Sequence, residues 1–175
     1  MKNRQAVLLI GHGAPARDTP KALIEELKRL EAKRDAEKSM TMSSREAEVD
    51  AIVRDWPRTA DNDAYRTGIE EIAAGLRAKL PDFTVETCYN EFCAPSLERA
   101  LESLAERKFS KVVLITTMFT RGGVHSESEI PAAVAEAKKR FAGLDIRYAW
   151  PFDLGRVAGF LSDQIRACDD GGKKP

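Results

Sequence analysis

Short apolar runs alternate along the chain with longer stretches whose apolar residues recur with helical spacing. The runs lack that spacing and predict β-strands at residues 6–10, 83–89, 111–117 and 145–150. The third run is continuously aliphatic over residues 112–115, which is typical of a strand covered on both faces. The second alternates apolar and polar residues, which indicates a strand at the edge of the sheet.

The stretches with helical spacing predict amphipathic helices. Asp18 or Thr19 is expected to cap the first helix, with Pro20 in its first turn. Further helices are expected at about 62–80, after residue 95, after Pro131 and before the carboxyl terminus. The apolar positions that define these faces are Leu23, Ile24, Leu27 and Leu30, then Tyr65, Ile69, Ile72, Leu76 and Leu80, then Leu97, Leu101 and Leu104, then Val134, Ala137 and Phe141, and finally Val157, Phe160, Leu161 and Ile165.

The segment 31–63 departs from this regularity because it is dense in charge. Its few candidates for burial are Val49, Ile52, Val53 and Trp56. We interpret the segment as a charged, helical insertion in a single α/β domain that covers residues 1–168. The charged and glycine-rich tail, 169–175, is expected to be disordered.

Strands and helices alternate throughout, so the strands are expected to run parallel and to be joined by helical crossovers. Right-handed crossovers favour a four-stranded parallel sheet of order 2-1-3-4 with helices on both faces. In such a sheet, ligands bind at the carboxyl ends of the strands, where the helices change faces. The predicted binding crevice therefore lies between the first and third strands.

Composition limits the partners that the chain can have. Its 175 residues suit one domain, and 28 basic residues balance 28 acidic ones, so no overall field favours nucleic acid or an anionic membrane. The sequence has no apolar stretch long enough to span a bilayer and no signal-like amino terminus, which predicts a cytoplasmic protein. Cys88, Cys93 and Cys168 form no CxxC pair and are expected to be reduced.

Both histidines of the chain directly follow predicted strands. His12 lies between two glycines after the first strand, and His125 follows Gly122 and Gly123 after the third. Because these strands flank the predicted crevice, the two imidazoles are expected to face each other. Histidine binds metal ions and exchanges protons near neutral pH, so the pair predicts metal handling or proton transfer. Either residue alone could equally be a surface or turn histidine.

Other polar residues are expected at the same edge of the sheet. Glu91 follows the second strand and could serve as a ligand or base, or could instead pair with an arginine or cap a helix. Arg121, Arg17 and Lys21 could bind carboxylates or phosphates of a substrate, or could belong to a solvated face. Residues 11–16 also fit the dinucleotide pattern G-x-G-x-x-A, but Pro15 removes an amide that a pyrophosphate would use.

Three blocks of the sequence together resemble one family. They are LLIGHG at 8–13, CYNEFCAPSLE at 88–98 and MFTRGGVHSESEIP at 118–131. In this order they resemble the class II tetrapyrrole chelatases, and among these the small sirohydrochlorin cobaltochelatases of cobalamin synthesis. The resemblance covers most of the chain outside 31–63 and the tail.

The resemblance implies ATP-independent insertion of cobalt(II) into sirohydrochlorin, with relatives that insert iron or nickel. His12 and His125 fall on the two metal-handling histidines of the family, and Glu91 on its acidic position after the second strand. A homodimer is also implied. The chain departs from the family pattern at Ala14-Pro15, where serine and arginine are common, and at Glu129, where aspartate is usual.

The residues support the same chemistry without the family. Metallating a tetrapyrrole requires a bound metal ion and acceptors for two pyrrole N–H protons, and neutral imidazoles serve both needs. We therefore expect His12 and His125 to bind the metal and accept protons, Glu91 to assist, and Arg121, beside Gly122 and Gly123, to hold carboxylates. A carrier of metal or tetrapyrrole without catalysis and a nucleotide-binding oxidoreductase are the alternatives.

Overall fold

The structure is a computed structural model that describes residues 4–39 and 41–169. Within these ranges the strands are β1 (Gln5–Gly11), β2 (Thr84–Tyr89), β3 (Lys111–Thr116) and β4 (Asp145–Tyr148). The helices are α1 (Lys21–Ala36), α2 (Ser44–Arg54), α3 (Ala64–Lys79), α4 (Leu97–Glu106), α5 (Ile130–Arg140) and α6 (Leu154–Asp169). A π-helical turn, His125–Glu129, leads into α5.

The strands form one parallel sheet in the order β2-β1-β3-β4. This order confirms the predicted α/β fold and places β2 at an edge. Gly11 pairs with Tyr89 and Ile10 with Thr116, so the carboxyl ends of β1, β2 and β3 lie at one level. The residues that follow these three strands consequently emerge side by side.

The core divides between the two faces of the sheet. On one face, Leu8 and Ile10 of β1 pack in a cluster with residues of α4 and α5, including Leu101 and Val134. On the other face, Val7 and Leu9 pack with Ile69 and Ala73 of α3. β1 is thus the strand buried along nearly its whole length, whereas β3 alternates buried and half-buried residues.

The charged segment 31–63 is a packed part of the fold. α1 continues through Ala36, and α2 lies against it. Val49 and Val53 are fully buried with Leu27 and with Phe92, which lies in the loop after β2. The helical prediction for this segment agrees with α2, although Ile52 remains 41% exposed.

The predicted start of the first helix was wrong. Pro20 occupies the cap position of α1, and no side chain caps that helix. Asp18 instead accepts hydrogen bonds from the side chains of Trp56 and Asn62. The helix predicted to start at Pro131 is α5, which carries this proline in its first turn and is preceded by the π-helical turn that contains His125.

The last helix differs from the others in its packing. α6 forms where the sequence predicts a helix, but it has no buried residue, and Phe160 and Ile165 are each 63% exposed. Asp169 belongs to α6, and residues 170–175 of the predicted disordered tail lie outside the described residues. Among the residues that the structure describes, no helix combines the length and apolarity needed to cross a bilayer.

Candidate metal site

Three side chains converge at the carboxyl edge of the sheet. They are His12 after β1, Glu91 after β2 and His125 after β3, and one ligand atom of each lies within 4.8 Å of the others. The imidazole centroids are 4.9 Å apart, with the rings at 81°. The Glu91 carboxylate lies 3.9 Å from Nε2 of His12 and 3.6 Å from Nε2 of His125. The parallel sheet thus brings together residues that are far apart in the chain.

The other nitrogen of each imidazole faces an acceptor. Nδ1 of His12 lies 2.9 Å from the carbonyl oxygen of Gly13, and Nδ1 of His125 lies 2.7 Å from Oε2 of Glu129. A carbonyl oxygen can only accept, so in the neutral His12 ring Nδ1 carries the hydrogen, and the Glu129 carboxylate favours the same tautomer of His125. In these tautomers both Nε2 lone pairs are free on the side of Glu91, the arrangement that orients histidine ligands in metal sites.

Glu129 orients His125 and is itself held by Asn90. The Asn90 side-chain amide donates to Oε2 of Glu129 over 2.8 Å and also lies 2.7 Å from Nδ1 of His125. Burial opposes ionisation of Glu129, but the hydrogen bonds from Asn90 and His125 outweigh it and hold the pKa of Glu129 below its usual range. An ionised Glu129 is the acceptor that His125 needs.

The loops that carry His12 and Glu91 are joined by backbone hydrogen bonds. The Asn90 amide donates to the Gly11 carbonyl over 3.0 Å, and the Glu91 amide donates to the His12 carbonyl over 2.8 Å. Gly13 has a φ of +97°, and a Cβ there would lie 1.9 Å from the Glu91 carbonyl oxygen. Only glycine permits this conformation and this approach, so Gly13 allows the two loops to lie in contact.

The cluster is open to solvent on one side and lies among acidic groups. The side chains of His12, Glu91 and His125 are 41%, 29% and 26% exposed. Burial, and then the negative charge of Glu91, raise the pKa of the nearby Glu31 carboxyl. Two imidazoles and a carboxylate in an acidic setting favour a divalent cation, with open coordination positions on the solvent side.

The spacing of the ligand atoms suits a transition metal. Ligands at about 2.1 Å from a metal ion lie roughly 3 to 4 Å apart, close to the separations between Glu91 and the two imidazoles. Histidine and carboxylate together accept cobalt, nickel, iron and zinc. The arrangement can therefore hold one such ion.

The predicted substrate-binding residues follow the strands at the same edge of the sheet as this cluster. Arg121, Gly122 and Gly123 are exposed in the loop between β3 and His125, and Gly122 has a φ of +85°. Arg17 and Lys21, at the same edge, are also exposed. Their part in binding carboxylates stays a prediction.

Two residues that the sequence analysis did not predict support the site. Asn90, next to Glu91, binds Glu129, and the Tyr65 hydroxyl accepts a hydrogen bond of 2.8 Å from the backbone amide of His12. The helical spacing of His125 and Glu129 is a signal that could have identified their contact. Tyr65 gives no such signal, because its spacing marks it only as part of an apolar helix face.

Comparison with known proteins points to one family. The CbiX family model matches residues 58–165, which include Glu91 and His125. The chain is 34% identical over 74 residues to a sirohydrochlorin cobaltochelatase of Priestia megaterium, a match that covers 42% of this chain and 24% of that protein. The match therefore spans about a quarter of the relative's length.

Two solved structures are similar to this chain. A cobalamin (vitamin B12) biosynthesis CbiX protein from Marinobacter aquaeolei VT8 superposes with a TM-score of 0.57 at 12% identity, over 96% of this chain and 99% of that one. The sirohydrochlorin chelatase SirB from Bacillus subtilis subspecies spizizenii, in complex with cobalt, gives a TM-score of 0.46 at 18% identity, over 85% of this chain and 43% of that one. At these identities the first similarity concerns the fold alone.

Proposed function

This chain belongs to the CbiX family, and from that premise we propose that it inserts a divalent metal ion into sirohydrochlorin without ATP. The cluster of His12, Glu91 and His125 carries the proposal, since it offers two imidazoles and a carboxylate at an open edge. Cobalt(II) is the proposed metal because the relative from Priestia megaterium is named a cobaltochelatase. Nickel and iron(II) suit the same ligands. A cytoplasmic location stays a prediction.

The proposed reaction exchanges a metal ion for two protons. His12, His125 and Glu91 bind the ion through Nε2, Nε2 and a carboxylate oxygen. As the ion passes to the pyrrole nitrogens, each Nε2 lone pair becomes free to accept one of the two N–H protons that leave the macrocycle. The protons then pass to solvent, to which both rings are exposed.

The loop before His125 offers a surface for the macrocycle. Phe119 and Val124, both in this loop, are 37% and 63% exposed. Arg121 lies between them in sequence and is exposed. We propose that the apolar side chains contact the face of the tetrapyrrole while Arg121 binds its carboxylates, with Gly122 and Gly123 allowing close approach.

Metallation of sirohydrochlorin followed by absorbance tests the proposal. We expect the protein to accelerate insertion of cobalt(II) well above the spontaneous rate, with nickel(II) and iron(II) compared in parallel. A carrier would bind metal or tetrapyrrole while insertion stayed at the spontaneous rate. Titration with nicotinamide and flavin cofactors distinguishes a chelatase from a nucleotide-binding oxidoreductase. Binding of a cofactor would support the oxidoreductase.

Glu129 provides a test of how the metal is held. Glu129→Gln replaces an ionised acceptor by an amide that can present its N–H₂ to Nδ1 of His125. That contact favours the tautomer with the hydrogen on Nε2, the nitrogen proposed to bind the metal. We expect cobalt(II) affinity to fall about 10- to 100-fold, the range seen when such supporting groups are removed. Glu127→Gln, in the same π-helical turn and exposed, is the matched control and should bind as the parent does. Equal affinity of the two variants would argue against this role.

We propose that the chain forms a homodimer through α6. The exposed apolar residues of this helix support the proposal, because an uncovered apolar face on a helix marks an interaction surface. Phe160→Asp with Ile165→Asp is expected to convert the dimer to a monomer in sedimentation velocity. Ile72→Asp, on α3 and 51% exposed, serves as the control. A parent that sediments as a monomer would contradict the proposal.

A further inference from the structure

A buried ion pair lies directly behind the loops that carry His12 and Glu91. Arg58, between α2 and α3, and Asp63, at the start of α3, have side chains only 3% and 2% exposed, and they contact each other. Charged groups are seldom buried so completely unless they are paired and hydrogen-bonded. The surroundings of Arg58 show what this pair is attached to.

The guanidinium of Arg58 contacts the backbone of both loops. Its Nη1 donates to the Ala14 carbonyl over 2.7 Å as well as to Asp63. Its Nη2 donates to the carbonyls of Phe92 and Val53, the latter over 3.3 Å. Ala14 lies two residues after His12, and Phe92 directly follows Glu91. A single planar group thus connects the loop after β1 to the loop after β2.

The loop after β2 requires such a support. Phe92 has a φ of +57°, in the left-handed region that bulky residues rarely occupy, and a residue held there depends on the contacts around it. Arg54 adds to them by donating to the carbonyls of Asn90 and Cys93 over 2.9 and 3.2 Å. Arg58 differs from Arg54 because it also reaches the loop that carries His12.

We propose that Arg58 is a positioning residue that sets the separation of His12 and Glu91 by holding the carbonyls of Ala14 and Phe92. Its planar fork suits two acceptors at a fixed spacing, which a lysine ammonium does not reproduce. Asp63 offsets the buried charge, and its other oxygen caps α3 by accepting from the Arg66 amide over 2.9 Å. The expected effect of Arg58 on metal affinity rests on the proposed function, whereas its effect on the conformation of the two loops does not.

The test uses a variant that removes the guanidinium without leaving an unpaired charge. Arg58→Met combined with Asp63→Asn replaces a buried ion pair by a neutral pair, a change that proteins often tolerate, and asparagine retains the capacity to cap α3. We expect this variant to fold by circular dichroism, with faster hydrogen exchange at the Glu91 and Asn90 amides by about tenfold or more. Its cobalt(II) affinity should fall by about 10- to 100-fold, as when other supporting groups of a metal site are lost.

Two further variants complete the design. Arg58→Lys keeps the buried charge but not the fork, so it should fold and still show faster amide exchange and weaker cobalt(II) binding. Arg45→Met removes a half-exposed arginine of α2 that pairs with Glu26, and should match the parent in both measurements. If the double variant does not fold, Arg58→Lys decides the question.

The outcomes separate this inference from the proposed function. Parent-like amide exchange together with parent-like cobalt(II) affinity in the Arg58 variants would overturn the positioning role, even if the parent metallates sirohydrochlorin. A parent that fails to metallate would overturn the proposed function alone, because hydrogen exchange reports the joined loops without any metal. A selective fall in kcat, with KM for sirohydrochlorin near that of the parent, would further support action through the metal site.

Discussion

Replacing His125 by alanine is expected to lower the rate of cobalt(II) insertion into sirohydrochlorin by roughly 10²- to 10⁴-fold, the range that a positioned proton-transfer group contributes. The substitution removes one of the three proposed ligands and one of the two proposed proton acceptors at once. His12→Ala should have an effect of the same order, because its Nε2 faces the same Glu91 carboxylate. Rates are measured by the absorbance of the metallated product at saturating sirohydrochlorin.

The control for this loss lies in the same π-helical turn. Ser128→Ala changes an exposed side chain three positions from His125 and should leave the rate at the parental value. Circular dichroism of the His125 variant should match that of the parent, since the imidazole is partly exposed and not part of the apolar core. A His125→Ala protein that inserts cobalt at the parental rate would remove this residue from the reaction.

Gly13→Ala is expected to have the largest effect on stability. The added Cβ would lie 1.9 Å from the Glu91 carbonyl oxygen, on a backbone with a φ of +97°. Left-handed conformation costs about 1–2 kcal/mol for a residue with a side chain, and overpacking adds about 1–3 kcal/mol. A loss of about 3 kcal/mol in the free energy of unfolding corresponds to a melting temperature lower by roughly 6–12 °C in a chain of this size.

Gly75→Ala is the matched control for this substitution. Gly75 lies in α3, and a Cβ there would meet nothing within 4 Å. Alanine is favoured over glycine in a helix by about 0.5–1 kcal/mol, so this variant should melt slightly above the parent. Differential scanning calorimetry compares the two. Equal melting temperatures for both variants would mean that the loops carrying His12 and Glu91 do not need their close contact.

The sequence predicts the strands and their order because a parallel sheet follows from local pattern and from few topological rules. Apolar runs identify β1 and β3 without any tertiary information, and right-handed crossovers then place them side by side. His12 and His125 follow these two strands, so their proximity is also accessible from the sequence. Residues this far apart in the chain can be predicted to lie close together because the strands that precede them are neighbours in the sheet.

The supporting contacts of the site were not accessible in this way. Tyr65 and Arg58 reach the site loops across more than thirty positions, and nothing in the local pattern distinguishes them from an apolar helix face or a solvated cation. The cap of the first helix likewise could not be predicted from the local sequence. Asp18 has the chemistry of a cap, but tertiary contacts with Trp56 and Asn62 engage its carboxylate instead.

Apolar periodicity also predicts a helix without saying what covers it. α6 forms as its spacing predicts, yet Phe160 and Ile165 remain exposed in the single chain. In α2, by contrast, Val49 and Val53 are fully buried, within a segment that its charge had marked as an insertion. Burial depends on which elements meet, and that information is spread over the whole chain.

His12, Glu91 and His125 are proposed to bind one metal ion together. Crystals grown with cobalt(II) and measured at the cobalt absorption edge test this binding directly. We expect an anomalous peak about 2.0–2.2 Å from Nε2 of both histidines and from a carboxylate oxygen of Glu91, the distances usual for such ligands. A peak elsewhere, or one that engages only a single histidine, would contradict it.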